Sequence, residues 1–205
     1  MTRTLAELAE VASGCTLCRL ANGRTQVVFG SGNPAAQIMF VGEAPGFHED
    51  KQGKPFVGAA GQLLSELLSG IGLTRDDVYI TNTLLCRPPG NRDPMQDEIE
   101  SCKPYLLEQI DLLNPRVICT LGNFATRLLL QKMVGISRVR GQRFPYRGRI
   151  LVPTFHPAAV LHGGGRASDQ MHQLEQDFKL LRTILDEVPS SPGPIEDPAE
   201  QLGLF

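Results

Sequence analysis

Four short apolar runs that alternate with helical patterns constrain the fold of this chain more than any other feature. The runs are rich in β-branched residues and cover residues 37–43, 77–85, 116–122 and 149–155. Amphipathic helical spacing occurs at residues 4–12, 61–72, 94–114, 123–135 and 168–188. Strands that alternate with helices of this length favour a parallel sheet that is covered on both faces. The 205 residues suffice for one such α/β domain.

Polar side chains stand near the carboxyl ends of these runs, which is where parallel sheets bind their ligands. Glu43, Asn82, Gly122 and His156 fall at or near those ends, so we expect one cleft to collect them. Each has an ordinary structural explanation when taken singly, such as a turn-capping asparagine or a structural histidine. Together with Phe56, in the loop after the first run, they describe a pocket for a planar polar ring. Such a pocket suits a pyrimidine that is read on its Watson–Crick edge after it has left the double helix.

The five cysteines divide into one core residue and a candidate metal-binding set. Cys119 lies inside the third apolar run and is expected in the core. Cys15 and Cys18 form a C-x-x-C pair, which can place two thiolates on one metal from a single turn. Cys86 and Cys102 are widely separated and lie beside prolines, which favours an iron–sulfur cluster over zinc, although a four-cysteine zinc site stays open. A thioredoxin-like redox pair is disfavoured because the C-x-x-C pair does not follow a strand.

The overall charge gives no field that would draw the protein onto nucleic acid, because the net charge is only −2. A DNA-binding interpretation therefore depends on local patches. Residues 137–149 form one candidate patch, with five arginines, two aromatic residues and no acid. Such a segment is either a solvated loop or hairpin, or a surface that contacts phosphates.

Several classes of protein are disfavoured by features that the sequence lacks. Residues 1–14 carry glutamates where a signal peptide needs an apolar run, and no stretch approaches the ~20 apolar residues of a membrane span. We therefore expect a cytoplasmic protein with no membrane contact. The sequence also has no P-loop, no dinucleotide-binding glycine pattern, no G-x-S-x-G and no H-E-x-x-H.

Several motifs together resemble the family 4 uracil-DNA glycosylases, the iron–sulfur type of the uracil-DNA glycosylase superfamily. The resemblance is carried by the four cysteines and by GEAPG at 42–46, GKPFVGAAG at 53–61, TNTLLCRPP at 81–89 and HPAAV at 156–160. It implies a three-layer α/β/α sandwich with a central four-stranded parallel sheet, within a glycosylase domain at residues 1–188. It also implies a [4Fe-4S] cluster on Cys15, Cys18, Cys86 and Cys102.

The implied activity is DNA repair, in which uracil is flipped out of DNA and its N-glycosidic bond is hydrolysed to leave an abasic site. The substrate would be uracil-containing DNA, single- or double-stranded, and the protein a monomer. Two other hypotheses remain: a non-catalytic iron–sulfur protein that transfers electrons or senses DNA lesions, and a nucleotide-binding enzyme with zinc. An electron carrier would not need the pocket residues, so their joint presence favours the enzyme.

The resemblance also implies roles for the pocket residues. Asn82 would distinguish uracil from cytosine, His156 would lie near the 2-carbonyl of the leaving base, and Glu43 would orient the attacking water. Gly42 would allow a close approach of the backbone and the deoxyribose. Phe56 would be exposed, with its face as the floor under the uracil. The catalytic set is therefore Glu43, Asn82 and His156, and the uracil-binding set adds Gly42 and Phe56.

In the best-known relatives, the water is oriented by an aspartate at the position that Ala44 occupies in this chain. Those relatives also carry a tyrosine that excludes thymine, where this chain has Gly46. The partner of the water and the means of rejecting the thymine methyl group are therefore not fixed by the resemblance.

Two segments are candidates for contact with DNA. The glycine-rich segment after His156 would be a loop that enters the DNA, with Val160 or Leu161 as a wedge and Arg166 at a phosphate. Arg140 and Arg143 of the basic segment would contact the backbone.

The amino-acid composition of the chain changes after residue 188. Residues 189–205 are rich in proline, serine and acids, and we expect a flexible linker-like tail. The last five residues, QLGLF, resemble the motif that binds the bacterial sliding clamp. Gln201 would contact the rim of an apolar pocket on the clamp, and the anchors in that pocket would be Leu202, Leu204 and Phe205.

Overall fold

The computed structural model describes residues 3–187 and contains one six-stranded sheet flanked by helices. The strands are β1 (Ser31–Gly32), β2 (Ile38–Gly42), β3 (Tyr79–Asn82), β4 (Val117–Leu121), β5 (Phe144–Tyr146) and β6 (Arg149–Thr154), in the spatial order β1-β3-β2-β4-β6-β5. The helices are α1 (Leu5–Ser13), α2 (Phe47–Gln52), α3 (Ala59–Ser69), α4 (Gln96–Leu113), α5 (Asn123–Leu130), α6 (Ile136–Val139), α7 (Pro157–His162) and α8 (Asp169–Glu187).

The predicted four-stranded parallel core is confirmed. Strands β3, β2, β4 and β6 are adjacent and parallel, and each lies within one of the four apolar runs. The strand count is higher than predicted because short antiparallel strands, β1 and β5, extend the two edges. The β5–β6 hairpin turns at Arg147 and Gly148, both with positive φ, which is the backbone required by a tight two-residue hairpin. Segments of two or three residues are too short to show a period in the sequence.

The central strands alternate their side chains between two buried faces. On β2, Ile38 and Phe40 belong to the core cluster that packs under α3, α6, α7 and α8. Met39 and Val41 belong to a second cluster, under α4 and α5. Since all five residues of β2 are buried, this strand has the continuous apolar character of a sheet covered on both sides. The three-layer arrangement of the sequence analysis is therefore present.

The segment after His156 differs from the predicted loop. Pro157 begins α7, where its missing N–H costs nothing and its fixed φ suits a first helical turn. The glycine-rich residues follow only after this helix, at Gly163–Gly165. A helix of six residues is too short to show a clear period in the sequence, so α7 was not predicted.

Two expectations from the sequence concern membrane-spanning helices and the C-terminal tail. Within residues 3–187, no helix combines the length and the apolar character that crossing a membrane requires. The predicted clamp-binding residues 201–205 and the linker before them lie outside the described residues.

Candidate active site

A cleft opens at the carboxyl edge of the parallel sheet, as the sequence analysis expects. Glu43 follows β2, Asn82 ends β3 and His156 follows β6, and all three side chains line this cleft together with Phe56. Gly122, after β4, does not line it but supports its wall, since a Cβ there would lie 3.1 Å from the Cβ of His156. The remaining lining residues are Ala44, Pro45, Gly46, Glu49, Ala60, Pro88, Asn91, Arg92 and Ala158.

Asn82 offers an unpaired acceptor in this cleft. Its residue is only 2% exposed, and its Oδ1 atom has no hydrogen-bond partner. A buried carbonyl without a partner costs about 1–3 kcal/mol, so such an atom calls for an explanation. A ligand that donates a hydrogen bond to Asn82 would remove this cost.

Gly42 fits closely between two of the cleft residues. A Cβ at this position would lie 2.4 Å from Asn82 Oδ1 and 2.7 Å from the Phe56 ring. Both distances are too short for a methyl group. The glycine is therefore required for Asn82 and Phe56 to hold their positions, which is a steric reason in addition to the close backbone approach expected from the sequence.

His156 is held as a neutral imidazole with a defined tautomer. Its Nδ1 accepts a hydrogen bond from the backbone N–H of Ala158 at 3.1 Å, so the proton of the neutral ring lies on Nε2. Burial lowers the pKa of His156 to about 4, and the nearby carboxylate of Glu49 offsets this only in part. At neutral pH the ring is therefore uncharged and has one N–H free to donate.

The pKa of Glu43 shifts in the opposite direction. Burial raises its pKa to about 7, and the negative charge of Asp93 adds to the effect. The carboxyl group is thus near the midpoint of its titration at neutral pH. A carboxyl group whose pKa lies near the working pH is suited to general acid–base catalysis.

Phe56 departs from the expectation of an open face. It is only 6% exposed, and its ring stacks on His156 with centroids 5.5 Å apart. Its backbone has φ of +54°, an unfavourable conformation that costs a bulky residue about 1–3 kcal/mol. The ring is therefore a wall residue wedged between His156 and Gly42, with an edge on the cleft, and the loop must be held in place by other groups.

Two residues that the sequence analysis missed hold this loop. Glu49 accepts hydrogen bonds from the backbone N–H groups of Val57 and Gly58 at 2.9 and 3.0 Å. Arg75 donates to the carbonyl oxygens of Pro55 and Phe56 at 2.7 and 2.9 Å. Glu49 lies six residues after Glu43 and could have been noticed as a second acid in the motif, but Arg75 is 19 residues from Phe56 and carries no local signal.

The four cysteines proposed as ligands surround one small cavity. Cys15 and Cys18 come from the segment after α1, Cys86 follows β3 and Cys102 lies in α4. Cys119 is in β4 and belongs to the main core, away from this cavity. Among residues 3–187, however, no three histidine, cysteine or acidic side chains come close enough to share a single metal ion.

Burial and a nearby cation act in opposite directions on the thiols of the cysteine cavity. Burial raises the pKa of Cys102 to about 12 and also raises that of Cys86, so the free thiols are neutral at pH 7. A guanidinium N–H of Arg24 donates to the sulfur of Cys86 at 3.4 Å. Tyr105 also lines the cavity. A positive donor beside buried thiols would stabilise thiolates once a metal replaced their protons.

A chain of hydrogen bonds connects the cysteine cavity with the Phe56 loop. After Arg24, the backbone N–H of Thr25 donates to the buried carboxylate of Asp50 at 2.9 Å, and the Gln26 side chain donates to the Lys51 carbonyl at 2.7 Å. Asp50 and Lys51 lie on α2, which also carries Glu49. The segment beside the cysteines thus positions the helix that holds the Phe56 loop.

Three of the residues predicted to contact DNA pack against the rest of the fold in this structure. The side chain of Val160 is completely buried in the core under α7, so in this conformation it cannot act as a wedge. Leu161 is half-buried and also packs against that core. Arg140 is half-buried in an ion pair with Asp177, which also accepts a hydrogen bond from Thr154, so its charge is neutralised within the fold. Its contact with the DNA backbone stays a prediction.

Most arginines of the basic segment have partners from elsewhere in the chain, whereas Arg138 is exposed and forms no ion pair within residues 3–187. Arg143 pairs with Glu187, Arg147 with Asp111, and Arg149 is buried with Asn114 as a hydrogen-bond partner. Arg166, outside this segment, is exposed but pairs with Glu66 on α3. The segment is therefore a hairpin tied to the fold rather than a free cationic surface.

Comparison with known proteins gives consistent matches over most of the chain. The family model described as the Uracil DNA glycosylase superfamily matches residues 29–179. The chain is 48% identical over 188 residues to the type-4 uracil-DNA glycosylase of Thermotoga maritima, covering 89% of this chain and 97% of that protein. It is 46% identical over 190 residues to the type-4 uracil-DNA glycosylase of Sulfurisphaera tokodaii, covering 88% and 84%. The type-5 uracil-DNA glycosylase of Pyrobaculum aerophilum is 32% identical over 153 residues, covering 66% and 67%.

Proposed function

Since the chain belongs to the uracil DNA glycosylase superfamily, with type-4 relatives that match most of its length, we propose that its cleft removes uracil from DNA. The reaction is hydrolysis of the bond between uracil N1 and the deoxyribose C1′, which leaves an abasic site. The residues discussed below are those we propose for each part of the reaction. Because the base is paired and stacked in duplex DNA, it must first leave the helix to enter the cleft.

The unpaired Oδ1 of Asn82 is the observation that carries this proposal. Uracil presents a donor at N3 and an acceptor at O4, so an asparagine amide can receive from N3–H and donate to O4. Cytosine presents an acceptor at N3 and a donor at the 4-amino group, which would place like groups opposite each other. A site with a buried, committed acceptor rejects such a mismatch strongly because its own polar atom stays unpaired.

His156 would stabilise the departing base. When the N1–C1′ bond breaks, its electron pair stays on the uracil, and the negative charge is shared with O2. The neutral imidazole has its Nε2–H free because Nδ1 is occupied by Ala158 N–H. A fixed donor aimed at developing charge costs no reorganisation during the reaction, which is the usual source of large rate enhancements.

Glu43 would prepare the water. A bond forms between the water oxygen and C1′ as the N1–C1′ bond breaks, and the water proton passes to the Glu43 carboxylate. Burial has raised the pKa of Glu43 to about 7, so this carboxylate is a stronger base than an exposed one. The protein does not need an aspartate at the position of Ala44 for this step.

The four cysteines that line one cavity are the residues that could hold an iron–sulfur cluster. A C-x-x-C pair with two widely separated cysteines beside prolines suits a cluster better than zinc, which usually takes two close pairs. We propose that Cys15, Cys18, Cys86 and Cys102 would hold a [4Fe-4S] cluster that fastens the N-terminal segment to the loop after β3 and to α4. Its contribution would be structural.

The C-terminal pentapeptide supports a second partner. Gln201, Leu202, Leu204 and Phe205 would bind a bacterial sliding clamp, and a tether of this kind would raise the local concentration of the enzyme at DNA. Removal of residues 201–205 is expected to abolish clamp binding in calorimetry without slowing uracil release from short oligonucleotides. Equal clamp affinity with and without these residues would refute the interaction.

The activity itself is tested with oligonucleotides that carry one uracil, in single- and double-stranded form. After incubation and treatment with alkali, we expect strand cleavage at the uracil position only. Matched oligonucleotides with cytosine or thymine at that position serve as controls. Absence of cleavage at uracil by the iron-loaded protein would contradict the proposed function.

A further inference from the structure

An exposed aromatic side chain next to the cleft is contacted by two cations. Phe47 is 44% exposed and begins α2, immediately after Gly46 of the cleft wall. The Nζ atom of Lys51 lies 4.5 Å from the centroid of the Phe47 ring, and the guanidinium carbon of Arg87 lies 5.0 Å from it. The ring thus gathers two positive charges at one place on the surface.

These two cations come from separate segments, and both segments form the cleft rim. Lys51 is on α2, one turn after Phe47. Arg87 precedes Pro88, a cleft residue, and its Nε donates to Oδ1 of Asn91, another cleft residue, at 2.7 Å. The position of Arg87 is therefore fixed relative to the opening through which a base would enter.

Lys51 and Arg87 differ from four arginines elsewhere in the chain in that they have no acidic partner among the described residues. Arg140, Arg143, Arg147 and Arg166 are each paired with an acidic side chain. Within residues 3–187, neither Lys51 nor Arg87 forms an ion pair with an acid. Two like charges close to one ring repel each other, and an anion bound beside them would reduce that repulsion.

We propose that Lys51 and Arg87, held against Phe47, bind backbone phosphates of the uracil-bearing strand beside the flipped nucleotide. This inference rests on the proposed function, since it takes the cleft as the place that receives the base. A protein with a net charge of −2 has no overall attraction for DNA, so phosphate contacts must come from local cations such as these. Phe47 is the positioning residue that keeps both cations at the cleft rim.

The test measures how the affinity for DNA depends on salt. The probe is a single-stranded oligonucleotide with one tetrahydrofuran abasic analogue, which the enzyme cannot hydrolyse, and binding is followed by fluorescence anisotropy at several salt concentrations. Each phosphate contact on single-stranded DNA contributes a slope of about 0.7 in a plot of log affinity against log salt. We expect Lys51→Gln and Arg87→Gln each to weaken binding and to reduce the slope by about that amount. The double variant should reduce it by about twice as much.

The matched control is Arg138→Gln, which also removes one exposed positive charge but lies in the basic segment 137–149, away from the cleft residues. Its slope should equal that of the unchanged protein. Single-turnover release of uracil by Arg138→Gln should stay within about twofold of the rate of the unchanged protein.

Two results would overturn the proposal: an unchanged slope in the double variant, or an equal loss of slope in Arg138→Gln. The outcome is separable from that of the proposed function. A protein that releases no uracil but shows the predicted slopes would keep this phosphate site and lose the glycosylase assignment. One that releases uracil with unchanged slopes would do the reverse.

Discussion

Glu43 and His156 show how one cause, loss of water, sets opposite behaviour in two side chains of the same cleft. Burial disfavours the charged form of each, so it raises the pKa of the carboxyl and lowers that of the imidazole. The result is a neutral hydrogen-bond donor facing a base that is half-ionised at neutral pH. The sequence predicts both residues at the site but not their protonation, because burial depends on packing by distant segments.

The rate of uracil release is expected to rise with pH and to level off above about pH 7. Only the ionised form of Glu43 accepts the water proton, and its pKa is raised to about 7. His156 does not titrate in this range because its pKa is lowered to about 4. Single-turnover rates between pH 5.5 and 9 test this. The rise should disappear in Glu43→Gln, and Asp93→Asn should move it to lower pH because one negative neighbour is lost.

The raised pKa of Glu43 also makes the stability of the fold depend on pH. The folded-state pKa of Glu43 lies above its ordinary value of 4.5, so the stability contributed by its protonated form is lost as pH rises from about 4.5 to about 7. Relative to the unchanged protein, Glu43→Gln should therefore gain in melting temperature across this window. A pH-independent difference, together with a flat rate profile in the unchanged protein, would show that Glu43 does not have a raised pKa.

At the scale of elements, the strand ends were the most predictable part of the site. Glu43 ends the apolar run 37–43, Asn82 stands within the run 77–85, and His156 directly follows the run 149–155. The carboxyl ends of parallel strands lie on one edge of the sheet. Asn82 and His156 were placed correctly for this reason. The support of the Phe56 loop was not predictable, because Arg75 and Glu49 act through contacts between segments that have no common pattern in the sequence.

The cysteine cavity and the cleft are connected by hydrogen bonds between secondary-structure elements, and no sequence motif predicts these bonds. The cysteines and the uracil motifs appear in the sequence as separate features. In the fold, the segment Arg24–Gln26 lies between them and binds α2 through Asp50. A substitution of the cysteines should therefore alter the position of the Phe56 loop through α2.

Cys86→Ala is expected to lose iron and visible absorption, whereas Cys119→Ala should keep both. The two cysteines make a matched pair, since both are buried, at 4% and 0% exposure, but only Cys86 lines the cysteine cavity. Cys119→Ala should lower the melting temperature slightly, because it leaves a small void in the core. Iron analysis and absorption spectra of the purified variants give the answer. Retention of iron in Cys86→Ala, with loss in Cys119→Ala, would refute the ligand assignment.

At the scale of the whole molecule, the sequence predicts the three-layer fold, which the structure confirms, but leaves open whether the basic segment is a hairpin or a surface that contacts phosphates. Periodicity reports on burial, which follows directly from the apolar pattern. Counting arginines in residues 137–149 does not report on their partners, because Glu187, Asp111 and Asp177 come from elsewhere in the chain. Two cations that form no ion pair within residues 3–187, Lys51 and Arg87, lie instead at the rim of the cleft, where the sequence shows only isolated basic residues.

The central claim is that the unpaired carbonyl of Asn82 recognises uracil, and the most direct measurement is the single-turnover rate of uracil release by Asn82→Ala. The control is Asn33→Ala, at the opposite edge of the sheet, where the Asn33 side chain accepts from Ala35 N–H. We predict a loss of about 10²–10³-fold for Asn82→Ala, the typical cost of removing one such interaction. The cluster absorption and the fold should be retained, and Asn33→Ala should release uracil at the unchanged rate. Release by Asn82→Ala at the rate of the unchanged protein would contradict the account.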